Sequence, residues 1–111
     1  RVGVLMLETV YYDTVYKGYF AGQDEGIVTA GGKPARRQVV CLDAVTLQIV
    51  ALCWSLDNGH YLVRGLDPAR RYLLLAREYQ RGYEPCAYDW LECATTLDSA
   101  GQAQLWQTWL V

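Results

Sequence analysis

Histidine is almost missing from this chain: His60 is the only one. The four cysteines, Cys41, Cys53, Cys86 and Cys93, contain no C-x-x-C pair. Zinc sites need closely spaced Cys and His ligands, so no metal and no cofactor is expected. A basic surplus is missing too. The net charge is −2 over 111 residues, and phosphate contacts need a basic face, so no nucleic-acid partner is expected. No apolar run reaches the ~20 residues of a membrane span. No secretory signal is visible, and the start at Arg1 instead of Met points to residues missing upstream. Catalytic signals are equally scarce. Asp57 lies near His60, but no Ser or Cys elbow accompanies them, so no catalytic residue is assigned and no enzyme is expected. Gly31-Gly32-Lys33-Pro34 is not a phosphate cradle, because the Walker pattern needs GxxxxGK[ST] opening a helix. Sparse cysteine without a secretory context favours a reducing site of synthesis and buried thiols. A disulfide between Cys41 and Cys53, on adjacent strands, is the alternative.

What the chain does have is apolar and aromatic. Hydrophobic residues reach 52% and charged residues only 20%, with nine Tyr and four Trp against one Phe. The length allows one domain with a real core. The surplus predicts apolar surface that another subunit covers. Tyr and Trp carry a polar handle and are enriched where a surface meets a partner.

Asp57–Ala76 organises the rest. Asp57-Asn58-Gly59 tolerates positive φ and reads as a hairpin turn. Tyr61 and Val63 then share one strand face; His60, Leu62 and Arg64 share the other. Gly65-Leu66-Asp67-Pro68 breaks the strand, with Leu66 tucked under the loop. Tyr72, Leu74 and Ala76 align on the next strand. His60 itself reads as an exposed turn residue.

Upstream, Val2–Thr9 is apolar on both faces and reads as a covered strand. Val10–Phe20 is β-branched and aromatic, with Gly18 and Gly22 marking bends or bulges. Tyr11, Tyr12, Tyr16, Tyr19 and Phe20 cannot all face one small core. They read either as an aromatic ladder on a sheet or as a partner contact, and the two are compatible. Gly26–Thr29 is a short strand before a turn. Arg36–Asp43 and Gln48–Ser55 are strands joined through Ala44–Leu47. The second is apolar on both faces, which predicts that the outer face of its sheet is covered. Arg36, Arg37, Arg70 and Arg71 read as solvated strand ends or partners for Asp67, Glu78 and Asp89. Tyr83–Leu91 is a last strand, placed at an edge or bulge by Pro85. Cys93 lies near Glu92 and Asp89, which raise a thiol pKa. Asp98 or Ser99 caps a short helix carrying Leu105, Trp106, Trp109 and Leu110, which packs on the sandwich or docks on a partner; an extended segment is the alternative.

Short strands with turn signals every eight to twelve residues predict an all-β, antiparallel two-sheet sandwich. Residues 1–22 form a Tyr-rich N-terminal segment suited to an inter-subunit contact. Residues 23–97 form the sandwich, and 98–111 a Trp-containing tail.

Gly26-Ile27-Val28, Gly32-Lys33-Pro34, Val39–Asp43, then Asp57–Pro68 and Tyr72 resemble the carboxypeptidase regulatory-like (transthyretin-like, prealbumin-type) sandwich. That family runs as G-x-V, G-x-P, then D-x-G-x-Y-x-F-x-G-L-x-P-G-x-Y. Thr46-Leu47 and Pro68-Ala69 replace its usual Thr-Gly and Pro-Gly, which implies altered turns. The resemblance implies an Ig-like or prealbumin-like fold without catalytic residues. A single His60 and the ending Trp109-Leu110-Val111 do not match the purine-catabolism enzymes of that type. The Tyr-rich start and Ala35-Arg36-Arg37-Gln38-Val39 are similar to small proteins encoded among phage and prophage tail genes. This implies a tail or tail-tip component, made in a bacterial cytoplasm and carried in the virion. Its implied partners are other tail proteins and copies of itself, through Tyr11, Tyr12, Tyr16, Tyr19, Phe20, Trp106 and Trp109. The competing reading is an adhesin-type module in which exposed Tyr and Trp stack on a host-surface glycan.

Overall fold

The computed structural model describes residues 9–11, 16–77 and 86–110. Nine strands are present there: β1 (Thr9–Tyr11), β2 (Gly18–Gly22), β3 (Thr29–Ala30), β4 (Lys33–Pro34), β5 (Gln38–Asp43), β6 (Ile49–Trp54), β7 (Tyr61–Leu66), β8 (Tyr72–Ala76) and β9 (Cys86–Leu91). Helix α1 spans Ser99–Trp109. A five-stranded sheet runs β1-β6-β5-β8-β9. A two-stranded sheet pairs β2 with β7, and β3 and β4 form a small ribbon. All pairings are antiparallel. The fold is therefore an all-β, sandwich-like arrangement with one short C-terminal helix.

Strand parity builds the core. Val39 and Cys41 of β5, Ala51 and Cys53 of β6, and Tyr72 and Leu74 of β8 point inward. They meet Val63 and Leu66 of β7, with Phe20 and Tyr61 packed alongside. Gly65 lies at φ 77, and the β2–β7 register shifts between Gly18 and Phe20. This bulge resets the alternation and returns Leu66 to the interior. Leu66 is only 1% exposed, the plug expected of it.

One expectation fails. Asp57-Asn58-Gly59 does not close a hairpin between paired strands, because β6 and β7 belong to different sheets. Nor do β7 and β8 pair. The local turn forms: Leu56 N–H donates to the His60 carbonyl at 2.8 Å, and Gly59 sits at φ 84. The chain then leaves β6, because the Gly59 carbonyl accepts from Val28 N–H at 2.9 Å. A Cβ on Gly59 would meet the Val28 carbonyl at 2.6 Å, so glycine serves both the φ and the close approach.

Other boundaries move less. Gly26–Thr29 is not a strand; Asp24–Gly26 forms a 3-10 turn and β3 starts at Thr29. The strand Gly18–Gly22 is part of the sandwich, not of a separate N-terminal segment. The expected strand over Val2–Thr9 lies outside the described residues except at Thr9. Cys41 faces Ala51 and Cys53 faces Val39, so the two cysteines are diagonal neighbours and free thiols, not a disulfide.

Helix α1 forms as its cap predicts. The Asp98 carboxylate accepts from Gly101 N–H at 2.7 Å, meeting one orphan donor of the first turn. The helix covers the outer side of the β2–β7 sheet, where Trp109 meets Tyr19 and Leu62, with Leu105 and Trp106 alongside. Gln102, 2% exposed, pins it there. Its amide nitrogen donates to the carbonyls of Lys17 and Leu97, and its oxygen accepts from Arg64 Nε. Among the described residues no helix is long and apolar enough to cross a membrane.

Candidate interaction surface

Alternation along β5, β6 and β8 leaves a second set of apolar side chains pointing away from the core. The register arranges them in rows. Ile49, Leu42 and Leu73 lie side by side, and Leu52, Val40 and Leu75 form the next row, ending on Ala87. None of these belongs to either core cluster; Ile49 and Ala87 are exposed, Leu42, Leu52, Leu73 and Leu75 are half-buried, and Val40, between its neighbours, is buried. A sheet face that meets water should carry polar residues at these positions. In the row beyond, Trp54 lies opposite Gln38, with the Arg36 guanidinium 5.2 Å from its ring centroid, a cation–π distance.

The first row ends at an irregularity. Tyr72 pairs with Leu91 and Leu74 with Tyr88, so Asp89 and Trp90 together oppose Leu73. Trp90 adopts φ 57, an outlier for a bulky side chain. The Asp89 carboxylate holds the turn by accepting Trp90 N–H at 2.7 Å. Tyr88 is 59% and Trp90 60% exposed. β9 pairs only with β8 among the described strands, so this aromatic pair stands on a sheet edge.

The residues expected at a contact are placed differently. Tyr19 and Trp109 are buried against each other inside the chain, and Trp106 packs beside them. Phe20 packs on the central core and meets Tyr72 edge to face at 6.1 Å. Tyr16 is 42% exposed. Tyr11 lies in β1, with its side chain outside the description, and Tyr12 lies outside the described residues. The structure thus gathers Tyr19, Trp106 and Trp109 into an internal seal and does not join them to Tyr16. Tyr88 and Trp90 were not singled out from sequence; the signal was the edge placement by Pro85 in a segment that displays two aromatics.

His60 is not an exposed turn residue. Its ring lies 4.9 Å from Trp109, and Nδ1 is buried without a hydrogen-bond partner. The arginines meet carboxylates in part as expected. Arg70 Nη1 donates to Asp43 at 2.7 Å, Arg70 Nε lies 3.5 Å from Asp67, and Arg71 Nη2 lies 3.6 Å from Glu92. Asp43 is buried at the start of the β5–β6 turn. N–H groups of Val45 and Thr46 donate to it and, with Arg70, hold its carboxyl below the usual range. Burial pushes the Cys41 thiol up to about 12 and the Tyr72 hydroxyl up to about 12. Cys93 is also raised, chiefly by burial, with Asp67 and Glu92 adding to it. These shifts favour neutral, unreactive groups. Among the described residues no cluster of three His, Cys, Asp or Glu side chains is placed to hold a metal.

At the end of the strand pair where Val39 faces Ala76, a cavity of about 390 Å³ opens between the two sheets. Its lining is mostly apolar, with Phe20, Val28, Val39 and Leu74, and also includes Arg37, Arg77, Tyr88 and Glu92. No family model, curated protein or solved structure matches this chain.

Proposed function

We propose that this protein is a non-catalytic structural module of a phage tail, acting through protein–protein contacts with copies of itself and with other tail proteins. The observation that carries the contact reading is the outward apolar face: two successive rows across β6, β5 and β8, the first leading to a displayed Trp90 and the second to Ala87. Such a face matches the depleted charge and enriched aromatics of an interface core. The tail setting rests on the sequence resemblance. The neutral, buried Cys41 and Tyr72 fit a role without acid–base chemistry.

Light scattering on the purified chain tests it. The expected result is a mass above that of one chain, rising with concentration. A Leu73→Asp, Trp90→Ser double variant should return to a monomer with an unchanged circular dichroism spectrum. A wild-type monomer at high concentration that binds no apolar dye ends this reading. Binding on a glycan array that disappears on replacing Tyr88 and Trp90 would establish the carbohydrate-binding alternative, which their exposure on β9 favours over the half-buried Trp106 and the buried Trp109.

A further inference from the structure

The cavity between the sheets is independent of the outer face and of the tail reading. Phe20 of β2 and Tyr61 of β7 line it from one sheet. Val39 of β5, Leu74 of β8 and Leu91 of β9 line it from the other, and Val28 joins them. Val28, Val39 and Leu74 belong to the central core and are only 8%, 2% and 6% exposed. The space therefore reaches down to the core and is not a surface dimple. Protein interiors are close-packed, with few voids larger than a water molecule. A space of about 390 Å³ falls instead in the range of small-molecule sites. Gly22 helps to shape it. A Cβ there would overlap the Tyr61 ring, so glycine lets that ring lie against β2 and form part of the wall. Water beside these side chains finds few polar partners, and replacing poorly ordered water by an apolar group favours binding.

We propose that this cavity binds a small, neutral, apolar ring compound. The ring lies between the two sheets, against Phe20 and Tyr61 on one and Val39 and Leu74 on the other. A flat ring fits a slot between facing sheets, and the two aromatic side chains add ring–ring contact to the area it buries. A charged group there would give up its water against walls that are mostly apolar. The charged side chains described in the lining, Arg37, Arg77 and Glu92, are of both signs, so they select neither an anion nor a cation.

Calorimetry and methyl NMR on the full chain test this with indane, indane-2-carboxylate and 2-aminoindane, which share one ring system. One saturable site is expected, with indane bound about tenfold or more tightly than either ion. Methyl shifts should fall on Val28, Val39, Leu74 and Leu91 and spare Leu42, Ile49 and Leu73 on the outer face. Ala76 lines the cavity and packs against the core, so Ala76→Leu should fill the space and weaken indane binding about tenfold or more. Gly26→Leu is a second blocking variant, because Gly26 also lines the cavity and a Cβ there meets no atom within 4 Å. Equal binding of all three compounds, or tighter binding of either ion, overturns the proposal, as does the absence of saturable binding. Shifts confined to the outer face or to α1, or wild-type binding by both blocking variants, overturn it too.

Discussion

On the β2–β7 sheet, Tyr19 and Leu62 point outward and Trp109 of α1 covers them. On the five-stranded sheet, Leu42, Leu73 and Leu75 point outward and lie in neither core cluster. The same residue types thus have two fates. One sheet is narrow, and an eleven-residue helix suffices to seal it. The other spans five strands, and the helix is already committed to the opposite side by the bonds of Gln102. The contrast teaches that the aromatic surplus is divided: Tyr19, Trp106 and Trp109 stabilise the monomer, whereas Tyr88 and Trp90 are displayed.

The largest expected effect comes from unsealing the first face. Trp109→Ala should cost about 3 kcal/mol or more in urea unfolding and raise apolar-dye fluorescence at the exposed β2–β7 sheet. If stability is unchanged, the helix is not a seal and the contrast collapses. Next comes the pin. Gln102→Ala strips partners from Arg64 Nε and the carbonyls of Lys17 and Leu97, at a cost of about 2 kcal/mol. Hydrogen exchange should then show α1 opening ahead of the five-stranded sheet.

How far this division was legible depends on range along the chain. The Asp98 cap, the Leu66 plug and the alternation of β5, β7 and β8 are decided by near neighbours, and the sequence pattern exposes them. Sheet membership is not. The corner at Asp57-Asn58-Gly59 looks the same whether the next strand returns beside β6 or crosses away. Val28, distant in sequence, decides by bonding Gly59. His60 was misplaced for the same reason, since its neighbour is Trp109. Trp90 was overlooked because a bulge breaks the parity that identifies a face, and the cavity has no sequence signature at all.

A pH titration sharpens the comparison from inside the sandwich. Asp43 is harder to protonate in the folded chain, so the folded state binds fewer protons than the unfolded one in acid. Its contribution is present above the ordinary carboxylate pKa of 3.8 and is lost as pH falls through the lowered folded value. Asp43→Asn should flatten that acid limb of the stability curve. At the alkaline end, Cys41 and Tyr72 hold their protons more tightly when folded. Stability should therefore decline from their ordinary values of 9.0 and 10.0 up to about 12. Cys41→Ala should reduce the earlier part of that decline, with the remainder there owed to Cys93, whose thiol is also raised by burial.

The smallest effect is expected on the displayed side. Trp90→Gly relaxes the left-handed backbone and removes no core contact, so stability should rise by about 1 kcal/mol or less. Loss of self-association in the same variant would separate the aromatic's role in contact from any role in folding. A large destabilisation would place Trp90 with the sealed aromatics and erase the distinction.

The crossing at Gly59 also bears on how the molecule comes into being. A chain leaving the ribosome N-terminus first presents Gly18–Gly22 long before Leu66 exists, so β2 must wait unpaired while β5 and β6 are already able to zip together. During that interval Tyr19 and Phe20 have nothing to sit on: Phe20 waits for the core that β7 completes, and Tyr19 waits until Trp109 of α1 emerges. Assembly timing during translation is thus written into the topology.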